Sequence, residues 1–477
     1  MKALSLTSLI FIVVAFSVGA HPIISYSYVE AEAQMLRVSQ MLKVSQAQVS
    51  LARHERGKID ALWWPQLQAD GMYTHLSERI EVRQSLSQFT DPLKEHVLQL
   101  DPSDELITGV LDRVGEYTLT FPLIPQDIAS VGLTAEWVAF SGGKRLIADQ
   151  IARRLIDAAE LSAEQTRALQ QVALVERYYG LVLAQHTTVV CGERYEGLRK
   201  HYLQVLRMEE VGMADRAARL LAQVGMEESL RQYEQAQNHE HNAAKALRQL
   251  LGLTVDTAIV LSSPLFIVSQ LPAQEVFAQR SQSHNYALST LRIDERVALD
   301  QLRMAQSAYV PDIAFFGKHT LYAHGMPSNL FPRTIVGVGF TWNLFDGLKR
   351  ERQISQAHLT RQSTMWSREQ LEQELSLSVS EFYATLQQLI GEVRVLDTTI
   401  SLSEELLRVR QSAFAQGMAT SVEVIDATHA LASAKLARLT AYYAYDVALA
   451  GMLMACGMMD DFQRYASQPH FLIPYEK

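Results

Sequence analysis

Two carboxylates near the carboxyl end of the chain have a spacing that could do chemistry. Glu423 and Asp426 are three residues apart and follow Gly417, so on a helix they would share one face beside a turn. If several copies of the chain converged there, these side chains would form acidic rings that favour cations and can close around them. A solvated helix face is the simpler alternative, because most acidic pairs lie on one. The spacing predicts a gate or selectivity site and leaves that alternative open.

Other patterns that could carry chemistry are weak. Residues 140–145, Phe-Ser-Gly-Gly-Lys-Arg, lack the earlier glycine and the final Ser or Thr of a phosphate-binding loop. His239 and His241 would point to different faces of a helix and make a poor metal pair. The sequence contains no Gly-x-Ser-x-Gly and no His-Glu-x-x-His motif. We therefore expect no enzymatic activity, no catalytic residue, no metal and no cofactor.

Composition places the chain among folded, exported proteins. It has 477 residues, 48% hydrophobic and 20% charged, and its formal net charge of −9 argues against a nucleic-acid partner. Residues 1–20 are typical of a signal peptide, with Lys2, a short apolar run and a small-residue cleavage site. A retained anchor helix is the alternative, but the apolar run is short for a span. Cys191 and Cys456 are too few for a disulfide framework and are interpreted as ordinary helix residues.

The chain repeats itself at an offset of 205 residues. Residues 132–145 align without a gap on residues 337–350, and the two segments share Gly, Trp, Phe, Gly, Lys and Arg. A register that persists this long predicts two equivalent structural units. We assign a signal peptide to 1–20, the first repeat to 21–253, a connector to 254–272, the second repeat to 273–457 and a tail to 458–477.

Each repeat contains a segment with strict period-two alternation. Residues 336–344 place apolar side chains on one face and Gly, Thr and Asn on the other, and residues 130–139 repeat the pattern. Such alternation is typical of a strand between unlike solvents. Trp137 and Trp342 occupy equivalent positions in these strands, and we expect both to lie near a membrane interface.

A weaker strand precedes each of these, at 66–76 and 312–322, so each repeat supplies a strand pair. The first pair is joined by an insertion, residues 89–126, which contains four prolines and is interpreted as an elaborated loop. A soluble β-sandwich is the alternative, but four strands among hundreds of helical residues fit it poorly. Four strands in a bilayer would leave two unpaired edges, so several copies of the chain must share one barrel.

Each second strand leads into a long helix. An uninterrupted run from 143 to about 208 would be roughly 100 Å long as a helix, and a turn then starts a returning helix. Shorter helices, at about 28–62 and 273–308, lead into the first strands. The junctions are assigned to Ser141 and Asp346, as N-cap residues, with Gly142 and Gly347, and the turns at the hairpin tips to Gly212 and Gly417.

With these features the chain resembles the outer-membrane efflux proteins, also called TolC-like outer-membrane factors. The resemblance rests on the duplicated junctions, above all residues 342–350, Trp-Asn-Leu-Phe-Asp-Gly-Leu-Lys-Arg, and on the tip segment 417–427. It implies a mixed α/β membrane protein with four transmembrane strands and long periplasmic helical hairpins per chain. Three copies would form a shared twelve-stranded β-barrel and a twelve-helix α-barrel.

The resemblance also implies a function and a location. The protein would be the passive outer-membrane channel-tunnel of a tripartite efflux or type I secretion system, in the cell outer membrane with a tunnel extending into the periplasm. Its partners would be two further copies of itself, a periplasmic adaptor (membrane fusion) protein, an inner-membrane RND or ABC pump, and outer-membrane lipid. A periplasmic coiled-coil binding or adaptor protein without a barrel is the main alternative, and a passive porin is another.

By the same resemblance, Glu423 and Asp426 match the acidic constriction residues, with Glu replacing an Asp at the first position. Ala218 stands in the first repeat where well-known members keep a further acid, and Ala419 stands where they can have an arginine that latches the closed state. We therefore expect different closing contacts. Phe414 occupies the position of an aromatic gate partner, although hairpin packing is the favoured interpretation.

Overall fold

The computed structural model describes residues 23–100, 105–253, 258–268, 270–326, 332–467 and 471–472. The expected signal peptide lies outside these residues, as do parts of the connector and of the tail. In the ranges described, no helix combines the length and the apolar character that a membrane span requires.

Long helices and short antiparallel strand pairs alternate along the chain. The helices are α1 (Tyr28–Val38), α2 (Gln40–Ala61), α3 (Ser87–Leu100), α4 (Glu105–Gly115), α5 (Lys144–Glu210), α6 (Arg216–Leu250), α7 (Gln274–His284), α8 (Tyr286–Gln306), α9 (Lys349–Ala415), α10 (Ser421–Ala455) and α11 (Phe462–Ala466). The strands are β1 (Ile23–Tyr26), β2 (Gln66–His75), β3 (Ile80–Ser85), β4 (Thr118–Ile124), β5 (Asp127–Phe140), β6 (Ala258–Leu261), β7 (Phe266–Ile267), β8 (Asp312–His324), β9 (Thr334–Thr341) and β10 (Phe471–Leu472).

The two repeats have helical hairpins of equal length. Helices α5 and α9 have 67 residues each, and the returning helices α6 and α10 have 35 each. Both returning helices end at a glycine in the left-handed conformation, Gly252 with φ 64° and Gly457 with φ 65°. The predicted long hairpins are therefore confirmed, and glycine sets their ends because it adopts positive φ without a Cβ clash.

The chain forms two compact units, and each repeat contributes to both. The strand unit comprises residues 52–155 and 296–362. The helical unit comprises the described parts of residues 23–51, 156–295 and 363–472.

The strand unit contains a four-stranded antiparallel sheet in the order β2-β5-β8-β9. Its strands are the four that the sequence predicts, but β9 ends at Thr341, so Trp342 follows the strand instead of lying within it. The two hairpins of the sheet have the same register, because Gln66 pairs with Glu136 and Asp312 pairs with Thr341 at corresponding positions of the repeat. In the middle of the sheet, β5 of the first repeat pairs with β8 of the second. Strands β2 and β9 are its edges.

The insertion between β2 and β5 is more regular than the loop that the prolines suggested. Strands β3 and β4 pair antiparallel, with Val82 opposite Phe121, and helices α3 and α4 lie between them in the chain. Apolar residues at alternate positions give the pair one apolar face, which is why it forms a ladder despite Pro122 in β4. The segment interpreted as an elaborated loop therefore contains a strand pair and two helices.

The helical unit has an aromatic core that the connector helps to build. Strand β6 pairs with β1, and β7 pairs with β10, so the connector contributes two short strands to this unit. Cys191 and Cys456 are both buried and free. The largest side chains of this core are aromatic, namely Tyr28, Tyr178, Tyr179, Phe266, Phe277, Tyr442, Tyr445 and Phe462.

Candidate functional site

The tip of the second hairpin is a tight turn followed by a capped helix. Gly417 has φ 74°, and the amide of Met418 donates to the carbonyl of Ala413 at 2.9 Å. Thr420 then caps α10, because its side chain accepts from the amide of Glu423 while Glu423 accepts from the amide of Thr420 at 2.8 Å. This reciprocal capping box fixes the first turn of α10.

The capping box changes the interpretation of Glu423. Its carboxylate also accepts from Arg410 of α9 at 3.0 Å, and the side chain is half-buried. The backbone N–H of Thr420, followed by the charge of Arg410, lowers the pKa of Glu423 below its usual value. Asp426, one turn later, is exposed. Glu423 is therefore a fixed, ionised group held by local partners, and Asp426 is the freer of the two charges.

The first hairpin has the same turn and a different charge pattern. Gly212 has φ 76°, and the amide of Met213 donates to Met208 as its counterpart does in the second hairpin. Asp215 caps α6 by accepting from the amide of Ala218 at 2.7 Å. The two tips therefore share backbone geometry, and only the second carries acidic side chains at the corresponding positions of its helix.

Phe414 packs in a small apolar cluster near the tips rather than standing free. It is 6% exposed and lies with Val205, Ala222 and Val424, with Ala218 and Ala419 at the margin. This packing agrees with the favoured interpretation of Phe414 as a hairpin contact. At Ala218 and Ala419, where well-known members of the family have charged residues, the described tips have an apolar cluster.

In the strand unit, the two junctions share one set of contacts. The indole N–H of Trp137 donates to the carbonyl of Trp63 at 3.1 Å, and that of Trp342 donates to the carbonyl of Tyr309 at 3.1 Å. Both acceptors lie two residues before the proline that precedes the first strand of a repeat. The tryptophans therefore link the end of the second strand of each pair to the residues that immediately precede the first strand. Their expected place at a membrane interface stays a prediction.

Each junction also contains a buried arginine that sequence reasoning had left without a role. The guanidinium of Arg145 lies 4.8 Å from the centroid of the Trp63 ring, and that of Arg350 lies 4.6 Å from the Tyr309 ring. Arg145 also donates to the backbone carbonyl of Val138 near the end of β5, and Arg350 donates to that of Leu344, three residues after the end of β9. The Lys-Arg pair that recurs in both repeats was the available signal in the sequence, because an arginine conserved between the two copies can bind an aromatic face.

The assigned junction residues precede the helices by a few positions. Asp346 accepts from the amide of Lys349 through its side chain at 3.1 Å, whereas Ser141 accepts from Lys144 through its backbone carbonyl at 3.0 Å. Gly142 and Gly347 both have positive φ, 59° and 69°. The junctions thus turn the chain with the same left-handed glycine in both repeats.

Metal chemistry finds no candidate within the described ranges. No group of three or more His, Cys, Asp or Glu side chains there could hold an ion. His239 and His241, on α6, are both exposed.

Comparisons with known proteins define the class. The family model described as "Outer membrane efflux protein" matches residues 277–457. The chain is 23% identical over 323 residues to "Outer membrane protein TolC" of Vibrio cholerae, covering 64% of this chain and 73% of that protein. It is 22% identical over 320 residues to "Alkaline protease secretion protein AprF" of Pseudomonas aeruginosa, covering 65% and 66%. The crystal structure of the outer membrane protein VceC from Vibrio cholerae superposes with a TM-score of 0.72 at 15% identity, covering 90% of this chain and 96% of that one.

The fold is therefore that of TolC-like outer-membrane channels. Residues 277–457 match the outer membrane efflux protein family, and with these relatives the chain is an outer-membrane channel-tunnel for efflux or secretion that extends into the periplasm.

Proposed function

We propose that this chain is the passive export duct of a tripartite efflux or type I secretion system. It works as a homotrimer, docked to a periplasmic adaptor protein and an inner-membrane RND or ABC pump that supplies the energy. The observation that carries the proposal is the sheet β2-β5-β8-β9, which has two free edges and presents exposed apolar side chains such as Val336, Val338 and Phe340. In a bilayer those edges must pair, and another copy of the chain offers the matching edge.

The internal repeat supplies a template for that pairing. Within one chain, β5 pairs with β8, the last strand of the first repeat with the first strand of the second. The repeated equivalent is β9 of one copy beside β2 of the next. Leu133 pairs with His319. The counterpart of Leu133 at the 205-residue offset is Val338, and the counterpart of His319, counted from the proline that precedes the first strand of each repeat, is Tyr73. The proposed trimer therefore pairs Val338 of one chain with Tyr73 of its neighbour.

A glycine at the junction supports the same arrangement. A Cβ on Gly142 would lie 3.0 Å from the Cβ of Val310, whereas a Cβ on its counterpart Gly347 would meet nothing within 4 Å among the described residues. The counterpart of Val310 is Trp64, whose side chain is 75% exposed. In the proposed trimer, Trp64 of the neighbouring chain covers Gly347 as Val310 covers Gly142.

Disulfide cross-linking tests the register. We expect the double variant Val338→Cys/Tyr73→Cys, oxidised in membranes, to give covalent species up to a trimer and no larger on non-reducing denaturing gels, because three four-stranded sheets close one ring. The matched control is Val336→Cys/Tyr73→Cys, which lies on the same face two residues out of register, a separation of about 7 Å. Efficient cross-linking of the control, a covalent ladder ending at a dimer, or a chain that stays monomeric would contradict the proposed assembly.

The acidic residues at the second tip are proposed as the gate of this duct. Three copies of Glu423 and Asp426 would bring six carboxylates to the periplasmic end, where rings of fixed negative charge favour cations. The capping box and Arg410 support this role, because they hold Glu423 ionised and in one orientation.

Ion selectivity tests the gate. We expect Glu423→Gln/Asp426→Asn to lose the cation preference of the wild type, read as the reversal potential of single channels in a planar bilayer under a salt gradient. Glutamine keeps the capping acceptor, so the helix start is retained while the charge is removed. Asp215→Asn, which removes the acidic N-cap of the first tip and lies at the position of Thr420 in the repeat, is the control and should keep the preference. An unchanged reversal potential in the double variant would instead favour a passive porin.

Extraction distinguishes the remaining alternative. A periplasmic coiled-coil protein would leave envelopes in a high-salt or alkaline wash, whereas a membrane-inserted sheet requires detergent. Release without detergent would contradict the duct.

A further inference from the structure

A buried histidine connects the two helical hairpins close to the proposed gate. His201 of α5 is 6% exposed, and its Nε2 lies 2.7 Å from the hydroxyl oxygen of Ser421, which is 5% exposed. Ser421 is the first residue of α10, two positions before Glu423. One side-chain hydrogen bond therefore joins a helix of the first repeat to the helix that carries both acidic residues.

The surroundings of His201 are apolar. Its ring packs edge-on against Phe414 with the centroids 4.7 Å apart. The charged groups of the neighbouring helices pair with one another, Arg410 of α9 with Glu423 of α10 at 3.0 Å and Arg219 of α6 with Glu209 of α5 at 2.6 Å. No carboxylate is therefore available at the ring to stabilise an imidazolium among these residues.

The contact belongs to one repeat only. The counterparts of His201, Ser421 and Phe414 at the 205-residue offset are Leu406, Arg216 and Glu209, which cannot reproduce it. Leu406 is 44% exposed. The hydrogen bond between His201 and Ser421 is thus not part of the repeated structure, and it links the first repeat to the second.

We propose that His201 is a positioning residue for the gate, which holds the first turn of α10 against α5 in the closed tunnel and releases it on acidification. The inference rests on the proposed function, since it assigns a control element to that gate. In the closed tunnel the neutral ring keeps Glu423 and Asp426 at their place through Ser421. When the first turn of α10 separates from α5, the ring reaches water and can be protonated.

The direction of the pH response follows from burial. Desolvation lowers the pKa of His201 from 6.5 to about 4 in the packed arrangement. A ring that reaches water on opening regains the ordinary value, so the open arrangement binds a proton more strongly between these two values. In each chain, the ratio of released to docked first turns of α10 therefore rises by up to about tenfold for each pH unit below 6.5, down to about 4.

Single-channel recording at several periplasmic-side pH values tests the proposal. We expect wild-type open probability to rise at least about tenfold between pH 7.5 and 5.5, which is the increase that release of a single chain would give. His201→Gln, which keeps a hydrogen-bonding group and does not titrate, should lose this rise. Ser421→Ala should open more at pH 7.5, because the tie is removed while the histidine remains. His239→Gln removes an exposed histidine of α6 and should respond to acid as the wild type does.

The readouts separate this inference from the gate itself. Cation preference in the open state should be unchanged in His201→Gln and Ser421→Ala, since both keep Glu423 and Asp426. If the acidic double variant keeps its cation preference while His201→Gln loses the acid response, the proposal that Glu423 and Asp426 form the gate is wrong, whereas the role proposed for the His201–Ser421 hydrogen bond is supported. An acid response that persists in His201→Gln, or an open probability of Ser421→Ala equal to the wild type at pH 7.5, overturns the tie.

Discussion

Replacing Asp446 by asparagine is expected to stabilise the helical unit by several kcal/mol at neutral pH. Asp446 lies in α10, is 0% exposed, and neither carboxyl oxygen has a hydrogen-bond partner within the part of the chain that the structure describes. Burial raises the pKa of Asp446 well above its usual value, and the nearby backbone N–H of Phe266, which does not reach hydrogen-bonding geometry, offsets this only in part. The folded protein therefore holds a proton that the unfolded chain releases.

The pH dependence identifies the cause of this stabilisation. Because the folded-state pKa is raised, stability is present below the unfolded value of about 4 and is lost as pH rises toward the folded value. As pH rises from the unfolded value toward the raised folded value, the wild-type folding equilibrium should weaken progressively relative to that of Asp446→Asn. Thermal unfolding of the detergent-solubilised protein, followed by circular dichroism at each pH, measures this difference. A constant difference between the two proteins across that range would show that Asp446 has a partner that keeps it charged.

Replacing Asp300, unlike replacing Asp446, is expected to destabilise the protein. Asp300 is also 0% exposed, in α8 of the strand unit, but its carboxylate binds Arg154 of α5 and lies 3.2 Å from Arg303. Replacing Asp300 by leucine is expected to destabilise the strand unit by about 3–5 kcal/mol, because Arg154 is then left largely buried without its charge partner. The measurement is the same unfolding experiment, with Asp60→Asn, an exposed acid of α2, as the control that should change little.

The double variant Arg154→Leu/Asp300→Leu tests why Asp300→Leu destabilises the strand unit. If the loss comes from an uncompensated charge, removing both partners should recover a large part of it, because an apolar pair of similar volume often replaces a buried ion pair without loss. A double variant as unstable as the sum of the two single variants would instead assign the loss to packing.

Local patterns determined how far the fold could be predicted. The strands β5 and β9 were readable from alternation, and the hairpin ends from glycines at 212, 252, 417 and 457, because these signals act within a few residues. The insertion was misread because short helices and a short strand pair resemble a loop when prolines interrupt them.

The candidate site was less predictable because its decisive contacts join distant parts of the chain. Thr420 and Glu423 have the spacing of a capping box, yet Glu423 was considered only as a ring charge. His201 and Ser421 are 220 residues apart, and neither carries a local signal of the other. The aromatic partners of Arg145 and Arg350 likewise precede the arginines by about one strand pair.

Equal helix lengths constrain how such a gene can change. Since α5 and α9 have 67 residues each and α6 and α10 have 35 each, the two tips stay matched only if both hairpins gain or lose the same number of turns. A single insertion in one copy would leave the pair mismatched, so descendants with longer or shorter tunnels require two coordinated events in one reading frame. Duplication therefore doubled the structure and also made the length of each hairpin a constraint on the length of the other.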